Sequence, residues 1–329
     1  MQTSREAVIV EPDDGPGPVT QFLASAERSL LIKQFTFTEP EFIDAVIERH
    51  RSGVAVRVML NPARSSGDRA NDETFARLQA AGVAVQWTNP AFYVTHEKSI
   101  VVDGQRAMVA TYNLSPKYFS LTRDYGIVTA EPGQVAQIAE VFEADWAHDA
   151  WLPGEDRGLV WSNANSRVQM AEFIDGAQRT LDVQHPKFVD AVIVDHLAAA
   201  HERGVAVRVL CGGRHGISEG DVLDTFASLR TLVRFGVEVH KQKNLRVHAK
   251  LILVDGLSAF VGSMNIDRSA FDLRRELGIR TAVPTTVRRL AATFETDWGT
   301  SRPYQPPDPL KPHGHTEDDF PHDPDLAHE

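Results

Sequence analysis

The chain repeats itself at an interval of roughly half its length, and that repetition limits what it can fold into. The pattern His-x-Lys-x-x-x-x-Asp occurs as His96, Lys98 and Asp103, and again 152 residues later as His248, Lys250 and Asp255. An asparagine follows each aspartate by ten residues, Asn113 and Asn265. With 13 His, 8 Lys and 25 Asp in 329 residues, chance supplies about 0.02 matches per chain, so two copies reflect duplication. The same filter rejects His185-Pro186-Lys187, where the aspartate position holds Val192.

The surroundings are duplicated too. Phe142 and Trp146 recur as Phe294 and Trp298 at the same offset of 152. Gly53-Val54-Ala55-Val56-Arg57-Val58 recurs as Gly204-Val205-Ala206-Val207-Arg208-Val209 at 151, and Gly82-Val83-Ala84-Val85 as Gly236-Val237-Glu238-Val239 at 154. The offset drifts only between blocks, where loops absorb insertions. A repeat this long is a duplicated domain and not a solenoid unit.

Each half reads as alternating strands and helices. The first has a helix near 20–28, a strand at 29–34, a helix at 40–51, a strand at 54–60, a helix at 71–81 and a strand at 83–87. The motif strand, a returning strand and a helix at 134–147 complete it. The second repeats the order with strands at 180–184, 205–210 and 237–240 and helices at 189–203, 221–235 and 285–298. The expected fold class is α/β: two similar sandwich domains, with sheets covered by helices. The divisions read from the sequence are an N-terminal loop (1–19), domain 1 (20–150), a linker at Pro153–Gly158, domain 2 (159–300) and a disordered acidic tail rich in Pro and His (301–329).

Composition narrows the class of partner. The net charge of −11 excludes a global basic field for non-specific nucleic-acid binding. A local strip, Lys241, Lys243, Arg246 and Lys250, runs into the second motif and reads either as a solvated strand and loop or as a substrate-facing patch. No apolar run reaches membrane-spanning length, and Met1–Thr20 lacks the basic start and apolar core of a secretory signal. The expected location is cytoplasmic, with peripheral membrane contact allowed for. The single Cys211 reads as a packed structural thiol.

The motifs make chemical sense on a hairpin. Val102-Asp103-Gly104 and Val254-Asp255-Gly256 are turn signals, and alternation along a strand puts His96 with Lys98, and His248 with Lys250, on one face. The returning strand brings Thr111 and Asn113, or Ser263 and Asn265, back to that face. An ammonium and a carboxamide suit phosphate oxygens, and an imidazole suits nucleophilic attack or proton transfer near neutral pH. One half supplies only half of a phosphodiester cleavage; a pseudo-two-fold axis would supply the other histidine. Lysines and asparagines do the charge work, so no metal and no cofactor is expected. Gln34 and Gln184 end what look like corresponding strands and read as candidates for the cleft lining.

These residues resemble the phospholipase D superfamily, whose signature is the doubled motif followed by Gly-Ser/Thr-x-Asn. The resemblance spans residues 20–300; Gly262-Ser263-Met264-Asn265 matches fully, and Ala110-Thr111-Tyr112-Asn113 carries Ala for Gly. It implies an active site at the domain interface, a nucleophilic His96 that forms a phosphohistidine, and His248 as acid and then base. Lys98, Lys250, Asn113 and Asn265 would hold the phosphoryl oxygens. The family also carries an acid about 28 residues after each histidine that orients the imidazole it follows; Asp124 and Glu276 stand there. Their alternative reading is a surface salt bridge with Arg123 or Arg275. Asp103 and Asp255 read as stabilisers of their turns. The leading substrate class is phospholipid, by hydrolysis or phosphatidyl transfer of the cardiolipin-synthase type, with Phe92-Tyr93 and Tyr118-Phe119 either lining an apolar rim or packing in the core. Nucleic acid as the substrate of an endonuclease, and a non-catalytic phosphate-binding protein, are the competing readings. A monomer with internal pseudo-dimeric symmetry is expected.

Overall fold

The computed structural model describes residues 5–64, 66–214, 217 and 219–310. The first half runs β1 (Glu6–Glu11), α1 (Gly17–Ala24), β2 (Ser29–Gln34), α2 (Pro40–Arg51), β3 (Ala55–Leu60), α3 (Asp72–Ala80), β4 (Ala84–Trp87), β5 (Ser99–Val102), β6 (Arg106–Ala110), a 3-10 turn (Pro116–Phe119), β7 (Thr122–Thr129) and α4 (Pro132–Ala147). The second runs β8 (Leu159–Trp161), α5 (Ser166–Asp175), β9 (Thr180–Gln184), α6 (Ala191–Glu202), β10 (Ala206–Cys211), α7 (Glu219–Phe235), β11 (Glu238–Lys241), β12 (Arg246–Val247), β13 (Leu251–Val254), β14 (Ser258–Gly262), α8 (Arg268–Asp272), β15 (Leu277–Thr281), α9 (Pro284–Thr300) and β16 (Arg302–Pro303).

The first sheet has strand order β1-β7-β6-β5-β2-β3-β4; the second has β8-β15-β14-β13-β9-β10-β11, closed by β16. Along each of these orders three strands are parallel and the rest antiparallel; β12 joins the first sheet beside β7, parallel to it. The parallel strands follow from their helical crossovers, which hairpins cannot make. In α2, for example, Pro40 opens the helix under a Glu39 cap, and Phe42, Ile43, Val46 and Ile47 form its buried stripe.

Two outer cores lie between a sheet and its helices, one holding Phe42, Val46, Val58 and Leu78 and the other Leu197, Val207, Leu229 and Leu232. A third joins the inner faces of both sheets to α4 and α9, with Leu31, Val101, Val109, Phe142, Leu251, Val261, Leu290 and Phe294. Burying all of these side chains on both sides explains the near-continuous apolar strands.

Four expectations need correction. The supposed N-terminal loop contains β1, paired antiparallel to β7 from Glu6↔Thr129 to Glu11↔Asp124. Only Val8, Ile9 and Val10 mark it as a strand between polar neighbours. The tail begins with β16, whose Arg302 pairs with Lys241; the remainder, including the expected disorder of 311–329, lies outside the described residues. The helix placed at 20–28 ends at Ala24, because the chain must turn into β2. The strands β7 and β15 went unread, since Asp124 and Gly126, or Gly278 and Arg280, break the apolar run. Cys211 is buried and free, its thiol pushed up to about 12 by burial.

Candidate active site

The histidines do not sit inside paired strands of their own sheets. The segment before each motif strand crosses to the other half. His96 N–H and Glu97 N–H donate to Arg275 O (2.9 and 3.0 Å), and His248 N–H and Ala249 N–H donate to Arg123 O (3.3 and 2.8 Å). β12 thereby adds parallel to β7 across the interface, and Thr95 bridges Arg275 in the matching place. The backbone amides that would have extended β5 and β13 are spent on the partner half, which brings both motifs to one seam.

The orienting carboxylates are exchanged. His96 Nδ1 lies 2.9 Å from Glu276 Oε2, and His248 Nδ1 lies 2.6 Å from Asp124 Oδ1. Each acid therefore serves the imidazole of the other half, which corrects the expectation that it orients the histidine it follows. The alternative of a surface salt bridge with Arg123 or Arg275 is also overturned. Arg123 reaches across to Asp297 through Nε (2.8 Å), and Arg275 to Asp145 through a terminal nitrogen (2.8 Å), all four side chains buried. Asp145 and Asp297 were missed as interface residues, although they too are 152 apart, inside the duplicated Phe-Trp block.

The tautomers follow from the partners. His96 Nδ1 also faces Ser263 O (3.1 Å); a carbonyl only accepts, so Nδ1 carries the proton. Its Nε2 is buried with no hydrogen-bond partner among the described residues. His248 Nε2 instead receives Lys250 Nζ at 2.9 Å. Lys98 Nζ and Lys250 Nζ each donate to the carbonyl of the histidine two residues before, both at 2.7 Å.

Charge separates the two imidazoles. Burial, then the cations Lys98, Arg274 and Lys250 and then His248, all hold His96 well below the usual imidazole range. Burial also lowers His248, to about 4, but the Asp124 carboxylate pulls it back up. Asp124 itself is held below the usual range: burial raises it, and His248, Lys250 and the Thr111 hydroxyl outweigh that. Burial pushes Glu276 up to about 7, against the pull of Arg274 and Lys98. His248 thus has a firmly ionised counter-charge and His96 a half-ionised one. The crossed bonds from His96 to Glu276 and Ser263 and from His248 to Asp124 bring both motifs to the seam between the halves.

The other expected residues fall into place or out of it. Asn113 and Asn265 are buried just beyond β6 and β14. Thr111 Oγ1 donates to Asp124 Oδ1 (2.5 Å), and the Ser263 hydroxyl accepts from Leu277 N (3.1 Å), so both support the carboxylate segments. Asp103 and Asp255, with positive φ of 57° and 54°, accept backbone N–H groups at the starts of β2 and β9, from Arg28 and Arg179 at 2.7 Å each. They are turn and strand anchors outside the seam.

Gln34 and Gln184 are not equivalent. Leu30 pairs with Val102 and Leu181 with Val254, so the register matches Lys33 to Gln184. Gln184 sits in the interface layer, donating to Asp297 Oδ2 and Gln242 Oε1 (both 2.8 Å) and accepting from Tyr125 (2.6 Å). Lys33 fills the same place in the first half, 2.7 Å from Asp145 and 3.0 Å from Glu97. Gln34 is buried with both amide atoms lacking a hydrogen-bond partner among the described residues.

Of the basic strip, Lys241, Arg246 and Lys250 are buried and only Lys243 is exposed, so it is no solvated face. Tyr118 and Phe119 are core residues, with the Tyr118 ring 4.8 Å from that of His248. Phe92 lies 4.2 Å under the Arg275 guanidinium and lines, with Trp151, Asn163 and Arg275, a cavity of about 310 Å³. Tyr93, Leu121 and Leu273 are exposed, the leucines 152 apart and each three residues before an orienting acid. Ala110, where the second motif has Gly262, pairs with Gly126 in the ladder. At Gly262 itself a Cβ would lie 2.6 Å from Gly278 Cα and 2.8 Å from Leu277 O, so only the first half has room for the methyl.

The domain family described as "Cardiolipin synthase, PLD-like domain" matches residues 19–146 and again 170–298. The chain is 26% identical over 301 residues to the probable cardiolipin synthase YwiE of Bacillus subtilis, covering 80% of this chain and 59% of that one. Against the major cardiolipin synthase ClsA of the same organism the figures are 26% over 299 residues, 79% and 61%. The chain thus spans about three-fifths of the length of these curated relatives. The crystal structure of a phosphatidylserine synthase from Haemophilus influenzae superposes with a TM-score of 0.72 at 12% identity, over 92% of this chain and 88% of that one, a likeness of fold.

Proposed function

The chain belongs to the phospholipase D superfamily, carrying two copies of the cardiolipin-synthase type of its domain, and from that premise we propose that it is a phosphodiesterase or phosphatidyltransferase acting on phospholipid through a phosphohistidine. The observation that carries this reading is the crossed pair of His–carboxylate bonds, which ties each Nδ1 to the other half and leaves His96 Nε2 without a hydrogen-bond partner among the described residues and His248 Nε2 to Lys250.

In the proposed reaction His96 Nε2 attacks phosphorus and the bond to the leaving alcohol breaks. Its lone pair is open, and burial together with the surrounding cations keeps the ring unprotonated. His248 gives its proton to the departing oxygen; the ionised Asp124 stabilises the imidazolium that this requires. Lys250 leaves His248 Nε2 for a phosphoryl oxygen, joined by Lys98, Asn113 and Asn265, in a buried site where each such contact is strong. His248 then removes a proton from water or from an acceptor alcohol, whose oxygen displaces His96.

Several observations favour lipid. The relatives of highest similarity given above are cardiolipin synthases, and most of the basic strip is buried. Leu121, Leu273 and Tyr93 offer an exposed apolar rim around the seam for a bilayer surface. No helix among the described residues is long and apolar enough to cross a membrane.

The test is to incubate the protein with phosphatidylglycerol, phosphatidylcholine and single-stranded DNA in EDTA, then repeat with His96→Ala. Turnover of a phospholipid and its loss, by about 10³-fold or more, in the variant is the expected outcome. Cleavage of DNA alone discards the lipid assignment. Undiminished turnover by His96→Ala discards the mechanism.

A further inference from the structure

We infer that Arg274 is a further catalytic residue, whose guanidinium holds the non-bridging oxygens of the phosphoryl group while that group is bonded to His96. The inference rests on the phosphohistidine reading above and adds a group that the doubled motif does not contain.

Position comes first. Arg274 sits in the bend between α8 and β15, two residues before Glu276, the His96 partner; its backbone N–H donates to Ser269 O (3.0 Å), and Arg275 between them turns to Asp145. Arg274 is 5% exposed, and its Nε and one terminal nitrogen have no hydrogen-bond partner among the described residues. Its nearest carboxylate is Asp267, at 3.9 Å, beyond hydrogen-bond length.

Asp267 has no need of it. That carboxylate already receives Lys187 Nζ (3.1 Å), the Ser269 hydroxyl (2.7 Å) and Ala270 N–H (2.8 Å). Glu276 Oε1 is buried and likewise without a hydrogen-bond partner, so the guanidinium has not been used to saturate it. Leaving charged donors buried and unmade costs folding free energy, and a structural arginine would be expected to close on one of these acids. A guanidinium in this state is fitted to an incoming planar or tetrahedral oxyanion, which it grips through two donors at once.

The other half provides the control. The residue 152 positions earlier is Thr122, also buried, whose hydroxyl donates to Asp124 Oδ2 at 2.6 Å. There the position is neutral and serves the carboxylate. Around His96 it is cationic and serves no protein group at hydrogen-bond distance, and Arg274 acts electrostatically on both His96 and Glu276.

The chemistry gives that cation a task. The His96 Nε2 lone pair forms the N–P bond, the P–O bond to the alcohol breaks, and the alkoxide takes the His248 proton. Water or an acceptor alcohol then loses its proton to His248, its oxygen bonds to phosphorus, and the P–N electron pair returns to His96. Negative charge gathers on the phosphoryl oxygens in both displacements, while the phosphorus is bonded to His96.

Arg274→Thr installs the residue of the other half. The probe is a soluble bis-aryl phosphodiester, whose leaving group needs no proton, read in the His248→Ala background, where the intermediate forms but lacks a base to hydrolyse it. The expected result is a rate of phosphohistidine formation on His96 reduced about 10²-fold or more, partial recovery in Arg274→Lys, and a melting temperature equal to or above that of the parent. A formation rate within threefold of the parent overturns the inference. So does a melting temperature several degrees lower, which would make Arg274 structural. If the parent forms no phosphohistidine, or carries it elsewhere than His96, the underlying functional reading has failed, whatever Arg274 does.

Discussion

The two halves place the same groups at equivalent positions and then surround them with different charge. His248 faces an acid that burial fails to neutralise, because Thr111, Thr122 and Lys250 converge on Asp124. His96 faces Glu276, which burial leaves near half-ionisation, and three cations press on the ring. Beneath them, the first half packs Lys33 between Glu97 and Asp145, where the second has the neutral pair Gln184 and Ala249 opposite Asp297. Duplication supplies symmetry, but a two-step displacement needs one imidazole kept neutral and another able to hold a proton. In the proposed mechanism, the difference in surrounding charge separates these roles on a shared backbone.

Exchanging the carboxylates for amides breaks the comparison most severely. Asp124→Asn should cut kcat by roughly 10³–10⁴, since the amide cannot hold the imidazolium or its tautomer. Glu276→Gln should cost less near neutrality, where Glu276, at about 7, is only partly ionised. The sign of its pH dependence is fixed by that value. As pH rises through about 7 the carboxyl ionises, the His96 Nδ1–H donates to an anion and Nε2 becomes a better nucleophile, so kcat/KM climbs. A Glu276→Gln profile that keeps the same rise would remove Glu276 from this account.

The interface layer gives the next largest effect, measured by chemical denaturation. Lys33→Met leaves Glu97 without a counter-cation in a buried layer, although Asp145 keeps Arg275, and should destabilise by about 3–5 kcal/mol. Gln184→Met in the neutral layer should cost about 1–3 kcal/mol, because Asp297 keeps Arg123. The double change Lys33→Gln with Glu97→Ala copies the second half and should recover much of the Lys33→Met loss. Equal losses from Lys33→Met and Gln184→Met would show that the two layers are energetically alike.

The smallest contrast is a single methyl. Gly262→Ala should destabilise by about 1–3 kcal/mol, because the new Cβ meets backbone at Gly278 and Leu277. Ala110→Gly, at the matching place, should cost only about 0.5–1 kcal/mol, from lost packing and added chain entropy. A harmless Gly262→Ala would mean that the second ladder can open as the first does.

Much of the architecture could be read from residue order. Buried strands announced themselves at 54–60 and 205–210, and the helix at 40–51, because such signals are local and periodic. The strands β1, β7 and β15 hid behind acids, glycine and arginine that a strand tolerates only where a second chain segment meets them. The matching of Gln34 to Gln184 failed for a related reason: strand ends are a poor ruler, whereas ladder register, seen only in the folded sheet, aligns Lys33 with Gln184.

The amino-acid order by itself determined which chemical groups this protein owns, that it owns them twice, and that a histidine, a lysine and an asparagine from each copy travel together. It did not determine who serves whom. A separation of 28 residues from histidine to acid is the same number whether the acid turns to its own imidazole or to the other one. Only the packing of the two inner sheet faces, which carries Thr95–Glu97 onto Arg275 and Arg246–Ala249 onto Arg123, decided that the acids cross the seam. The exchange is set by contacts between distant segments, and spacing along a chain holds no record of those.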